Sequence, residues 1–169
     1  MARRKRAAPI PSAGLWLDDD QQAAWRALAT MMMKLRSSLD CQLERDAALS
    51  FIEYHALARL SEEANRTLRM SALAALTDAS LSRLSHLIKR LESWGLVRRE
   101  PDPTDGRFTN AVLTDAGYAK LVASAPAHVA AVRTLVIDAC DTAELAHLQK
   151  YADRIVARID ASSWARTLS

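Results

Sequence analysis

Glycine and proline are scarce in this chain, 4 and 5 of 169 residues, and aromatic residues make up only 5%. A fold of many short strands would need more turn residues than that. The scarcity also excludes a collagen-like repeat, and an apolar share of 50% with charged residues at 25% excludes a largely disordered chain. Cysteine occurs only at Cys41 and Cys140, with no CxxC and no Cys/His group beside either, so neither a disulfide framework nor a zinc site is expected. The histidines His55, His86, His128 and His147 are scattered, and no Gly-rich phosphate loop or nucleophile signature occurs. No catalytic residue, metal or cofactor is therefore expected, and the chain does not read as an enzyme. No uncharged run approaches the roughly 20 apolar residues of a membrane span, and no hydrophobic signal core follows the basic N-terminus. A soluble, cytoplasmic, mainly helical protein is the expectation.

The net charge of +3 carries little information, because Arg3, Arg4, Lys5 and Arg6 outweigh it and leave the remainder about neutral. What matters is where the other positive charges sit. Residues 1–16 read as a loose basic arm with no apolar period. From Asp18 onward Trp25, Leu28, Met32, Leu35, Leu39 and Leu43 recur at steps of three and four, which predicts one long helix over residues 17–48. Ser50 and Glu53 form a capping box and open a second helix to about Glu62. The pattern breaks over Asn65–Leu68. A short helix follows over Ser71–Leu76, and Thr77, Asp78 and Ala79 turn into a further helix after Ser80, which together describe a helix-turn-helix.

That last helix places Leu84, Leu87, Ile88, Leu91 and Trp94 on one inward stripe. Ser82, Ser85, His86 and Lys89 lie opposite, flanked by Arg83 and Arg90. Gly95 stops the helix, and two strand candidates, Leu96–Arg99 and Asn110–Leu113, follow around Pro101, Pro103 and Gly106 as a hairpin wing. Thr114 caps another helix, expected to bend or break near Pro126. Asp141 and Glu144 form a second capping box, ahead of a seam of Leu145, Leu148, Ala152, Ile155 and Ile159. The chain thus divides into an arm (1–16), an N-terminal dimerisation helix (17–48), a winged helix-turn-helix module (49–114), C-terminal dimerisation helices (115–162) and a tail (163–169). The module can build its own core, so the seams at either end are expected to pack on a second copy.

Between Ser80 and Arg99 there are five Lys or Arg and one Glu, so the positive charge is concentrated on one element. A basic outward face on the second helix of a helix-turn-helix suits the major groove of double-stranded DNA: Arg and Lys for phosphate and guanine, Ser and His for base edges. The stretch LRMSALAALTDASLSRLSHLIKRLESWGLVRREPDPTDGRFTNAVLTDAG, with its RLE, GLVRR, DPxDxR and LTxxG, strongly resembles the MarR family of bacterial winged helix-turn-helix regulators. The resemblance extends over roughly residues 18–160. It implies a homodimer joined through terminal helices and a pseudo-palindromic operator, with repression the more usual outcome. It implies that Arg107 enters the minor groove and that Asp105 steadies the wing through basic neighbours. The family often carries two successive basic residues at the wing tip, and Gly106 stands at the first of them here.

The resemblance also implies release from DNA by a small aromatic or phenolic ligand between dimer domain and winged module, for which Trp25, Met32 and His55 are the candidates, with core packing the competing role for Met31 to Met33. Two alternatives remain. Some relatives sense oxidants through a first-helix cysteine, but Cys41 lies beside Asp40 and Glu44, whose charge opposes thiolate formation. A dimeric interaction protein of the same fold without operator binding is the other.

Overall fold

The computed structural model describes residues 16–162, so the cluster Arg3–Arg6 and the tail 163–169 lie outside the described residues. The described residues form two compact units, one reaching Arg36 and one starting at Ser37. The first is the N-terminal part of helix α1 (Asp19–Ala47), whose first turn carries Asp19 and Asp20 where the helix dipole favours negative charge.

The second unit holds the end of α1 and everything after it. Asp40 accepts the Phe51 backbone N–H at 2.6 Å and so ties α1 to α2 (Phe51–Glu62). The predicted capping box is present: the Ser50 hydroxyl receives the Glu53 N–H while Glu53 receives the Ser50 N–H at 2.8 Å. Next come β1 (Thr67–Arg69), α3 (Met70–Leu76), α4 (Leu81–Ser93), β2 (Val97–Pro101) and β3 (Thr109–Leu113). The sheet has three strands in the order β1-β3-β2, both pairings antiparallel. The sequence reading expected only a hairpin, because residues 65–68 break the helical pattern without showing a strand pattern of their own. Strand β1 takes its identity from its partner, Leu68 sitting opposite Ala111. Leu57, Leu60, Leu73, Leu84, Ile88, Leu91 and Ala111 are fully buried in one cluster under this sheet.

Helix α5 (Asp115–Leu135) is capped by the Thr114 hydroxyl and continues through Pro126, where a bend or break was expected. The ring removes the N–H that would serve the Val122 carbonyl, and Val122 is 53% exposed, so water can serve it instead. A 3-10 turn (Ile137–Ala139) leads to α6 (Thr142–Ala161), opened by the Asp141–Glu144 capping box. The segment Asp115–Ala139 is long and apolar enough by composition to cross a membrane, and little of it is buried. None of the 20 residues of α6 is buried either, although Leu148, Tyr151, Ile155 and Ile159 lie along it.

Gly117 explains why the LTxxG turn ends in glycine. A Cβ there would stand 2.0 Å from the Leu96 carbonyl oxygen and 2.6 Å from Leu113 Cδ1, so α5 can start against the sheet only without a side chain. Gly117→Ala should lower stability by about 1–3 kcal/mol through overpacking, read by urea denaturation. An unchanged midpoint would show that the close approach is not needed.

A cluster of rings joins α1, α2 and α5. His128 lies half-buried 4.4 Å from the Tyr54 ring, and its Nδ1–H donates to Gln42 Oε1 at 3.1 Å. Gln42 in turn donates to Asp46 Oδ2 at 3.0 Å, which orients the amide. Burial pushes the His128 imidazole below its ordinary pKa of 6.5, and burial followed by Arg59 does the same for His55. A base with a depressed folded pKa stabilises fully above its unfolded value, and that stability is lost as pH falls through it. Thermal stability should therefore decline between about pH 7 and about pH 5, less steeply in His128→Gln. Parallel pH profiles for the two proteins would contradict this account.

Candidate nucleic-acid interface

Helix α4 is set at both ends by local chemistry. Ser80 accepts the Arg83 N–H at 3.3 Å, Asp78 takes the left-handed backbone (φ 49°) in the turn before it, and Gly95 takes φ 70° after it. Leu84, Ile88 and Leu91 are fully buried and Leu87 is half-buried. Ser82, Arg83, His86 and Lys89 are consequently exposed together, with Ser85 half-buried at the edge of the same face. One residue differs from expectation. Trp94 is 45% exposed rather than inward: it is the cap residue beyond the last helical position, Ser93, so it leaves the stripe, and the Arg90 guanidinium lies over its ring at 4.9 Å. Arg90, expected to flank the DNA-facing side, is exposed there and also binds Glu53 with N···O distances of 2.5 and 2.6 Å. Glu53 is 2% exposed. Only the carboxylate of this pair is buried: the Arg90 side chain is 55% exposed, so the pair is anchored on the Glu53 side.

The wing is held by a carboxylate that the sequence reading did not single out. Asp102, 8% exposed, receives Arg69 Nε at 2.7 Å on one oxygen and the Thr104 and Asp105 N–H groups at 2.9 and 3.2 Å on the other. Arg69, followed by Thr104, holds the Asp102 carboxyl far below the usual range. The Arg69 guanidinium also lies 4.7 Å above the Phe108 ring, so β1, α3 and the wing share one anchor. The DPxD spacing was visible, but its partner Arg69 is 33 residues away. Asp105 grips a basic neighbour, Arg107, accepting its N–H at 3.1 Å and its guanidinium at 2.6 Å, which lowers the Asp105 pKa. Arg107 remains 85% exposed in its side chain. A cleft of about 340 Å³ between α4 and the wing is lined by Ser71, Ser85, Arg69, Arg99, Arg107 and Phe108 among others, so the two predicted DNA-reading elements face one space.

Ion pairs trim the positive charge of this face. Arg99 pairs with Glu92 at 2.7 Å and Arg98 with Glu100, leaving Arg83 and Lys89 as the cations of α4 without an ion-pair partner among the described residues. The residues singled out for a ligand are separate observations: Trp25 is 54% and Met32 49% exposed on α1, while His55 is half-buried and stacked on Phe51 with centroids 6.0 Å apart. Cys41 is exposed and unbridged.

A sequence model of the MarR family matches residues 49–107. No curated protein sequence matches the chain significantly. Among solved structures the chain is similar to Sco3205, a MarR family transcriptional regulator from Streptomyces coelicolor in complex with DNA, at 41% identity and a TM-score of 0.83, covering 88% of this chain and 96% of that one. It is also similar to AbsC, a MarR family transcriptional regulator from the same organism, at 38% identity and a TM-score of 0.83, covering 87% and 99%. A transcriptional regulator from Sulfolobus solfataricus, BldR, shares the fold at 23% identity and a TM-score of 0.73, over 83% and 96%. With that identity extending over most of the chain, and with the capped, basic helix and its wing in place, this protein belongs to the MarR family of transcriptional regulators.

Proposed function

We propose that this regulator binds a pseudo-palindromic operator in double-stranded DNA as a homodimer in the cytoplasm, acting as a repressor. The observation that carries the reading is the outward face of α4, where Ser82, Arg83, His86 and Lys89 stand exposed beside the cleft that also holds Ser85 and Arg107. In this reading α4 lies in the major groove and Arg107 exchanges Asp105 for the minor groove, a small loss because that pair is exposed. The similar protein Sco3205 was crystallised with DNA, which supports it. The bare apolar faces of α5 and α6 support a second copy as partner, with half-sites about 10 base pairs apart. Release by a small aromatic or phenolic ligand is our reading of regulation, with Trp25, Met32 and His55 the residues whose replacement would alter it.

A binding selection on genomic fragments tests the function: an enriched palindrome is expected, and Arg83→Ala with Lys89→Ala should each weaken binding to it. No enrichment would favour a dimeric interaction protein of the same fold. Arg107→Ala should make the dependence of log K on log salt shallower by about 0.9 for each lost phosphate contact. Gly106→Arg should steepen it by a similar amount, because a Cβ at Gly106 meets no atom within 4 Å and the backbone there is not left-handed. Sedimentation should show a dimer at micromolar concentration, converted to monomer by Ile155→Asp. A wild-type monomer would sink the arrangement.

A further inference from the structure

Arg90 sits on the recognition helix among residues that the function uses, yet two of its guanidinium nitrogens are engaged elsewhere. Its Nε and Nη2 meet the two oxygens of Glu53 at 2.5 and 2.6 Å, and its planar face covers Trp94 at 4.9 Å. Glu53 is equally committed. It is buried at the third position of α2, and the oxygen that meets Nη2 also accepts the Ser50 N–H and hydroxyl, both at 2.8 Å. One carboxylate therefore closes the N-terminus of α2 and holds α4, 37 residues away.

We propose that Glu53 is a positioning residue of the DNA interface: by clamping Arg90 it withholds that cation from the phosphates and leaves Arg83 and Lys89 as the cations of α4 that meet the groove. The inference rests on the DNA-binding reading above. An unclamped arginine at this position adds a phosphate contact that carries no sequence information, raising binding to all duplexes alike and lowering discrimination. Burying the counter-ion, instead of leaving it exposed, makes the clamp hold when DNA arrives, because an unpaired charge in a buried position is costly.

The test uses the full chain, a selected operator and an unrelated duplex, with affinity measured against salt. Glu53→Gln keeps the cap, since glutamine serves at that position of a capping box, but removes the charge from Arg90. It should steepen the salt dependence by about 0.9 per subunit on both duplexes and reduce the operator preference. Arg90→Gln should leave the slope unchanged. Should Arg90→Gln prove unstable because Glu53 is stranded, the double variant Glu53→Gln/Arg90→Gln removes both charges and should show the wild-type slope. A slope shallower by about 0.9 in either Arg90 variant would make Arg90 an ordinary phosphate contact and overturn the proposal. So would an unchanged slope in Glu53→Gln. If the wild-type chain bound no duplex, the DNA reading would fall first and the proposal with it; wild-type binding with an indifferent Glu53→Gln overturns the proposal alone.

Discussion

Burial of Leu84, Ile88 and Leu91 is the contact on which the rest of the molecule turns. Each is fully inaccessible, and burying such a side chain contributes about 1.5–3 kcal/mol. Turning α4 about its axis by one residue would carry polar groups into the cluster formed with Leu57, Leu60 and Leu73 and expose the leucines to water. The roll of the helix is therefore decided by its core face. The outward set of Ser82, Arg83, His86 and Lys89 is the geometric complement of that stripe. The ends are decided separately: Ser80 closes the start, and the Thr114 hydroxyl donates to the Gly95 carbonyl at 2.7 Å just beyond the end.

The second theme is how sparingly positive charge is left uncompensated. The chain has a net charge of +3, yet around α4 and the wing Arg69, Arg90, Arg99 and Arg107 are each matched with a carboxylate. These pairs are not equivalent. Arg107–Asp105 is exposed, so it shapes the wing tip while contributing only about 0–1 kcal/mol. Arg69–Asp102 has a buried carboxylate that also takes two backbone N–H groups, which makes it the permanent fixture on which the wing is built. Arg90–Glu53 resembles the latter in burial, although Arg90 itself looks from its position like a DNA contact.

The same contrast between settled and deferred burial runs through the helices. Alpha-helix α4 buries its stripe within the chain, whereas α6, with a clear seam and a complete capping box, buries nothing within it. An amphipathic helix whose apolar side stays wet is incomplete within its own chain, which is the ground on which a second copy was proposed as its partner.

Much of this was legible in the sequence because it is local. Ser50 with Glu53, Asp141 with Glu144, Ser80 and Thr114 all act within three residues, and the stripe of Leu84, Ile88 and Leu91 repeats with the helical period, so caps, helix order and the outward face of α4 follow from spacing alone. What the sequence left open is the pairing of groups far apart along the chain. Strand β1 is three residues long and exists only because β3, more than 40 residues later, presents its edge. Arg69 finds Asp102, and Arg90 finds Glu53, because the core brings α2, α4 and the wing together. A charge's partner is set by proximity in space, and a helical wheel has no information about the neighbouring helix.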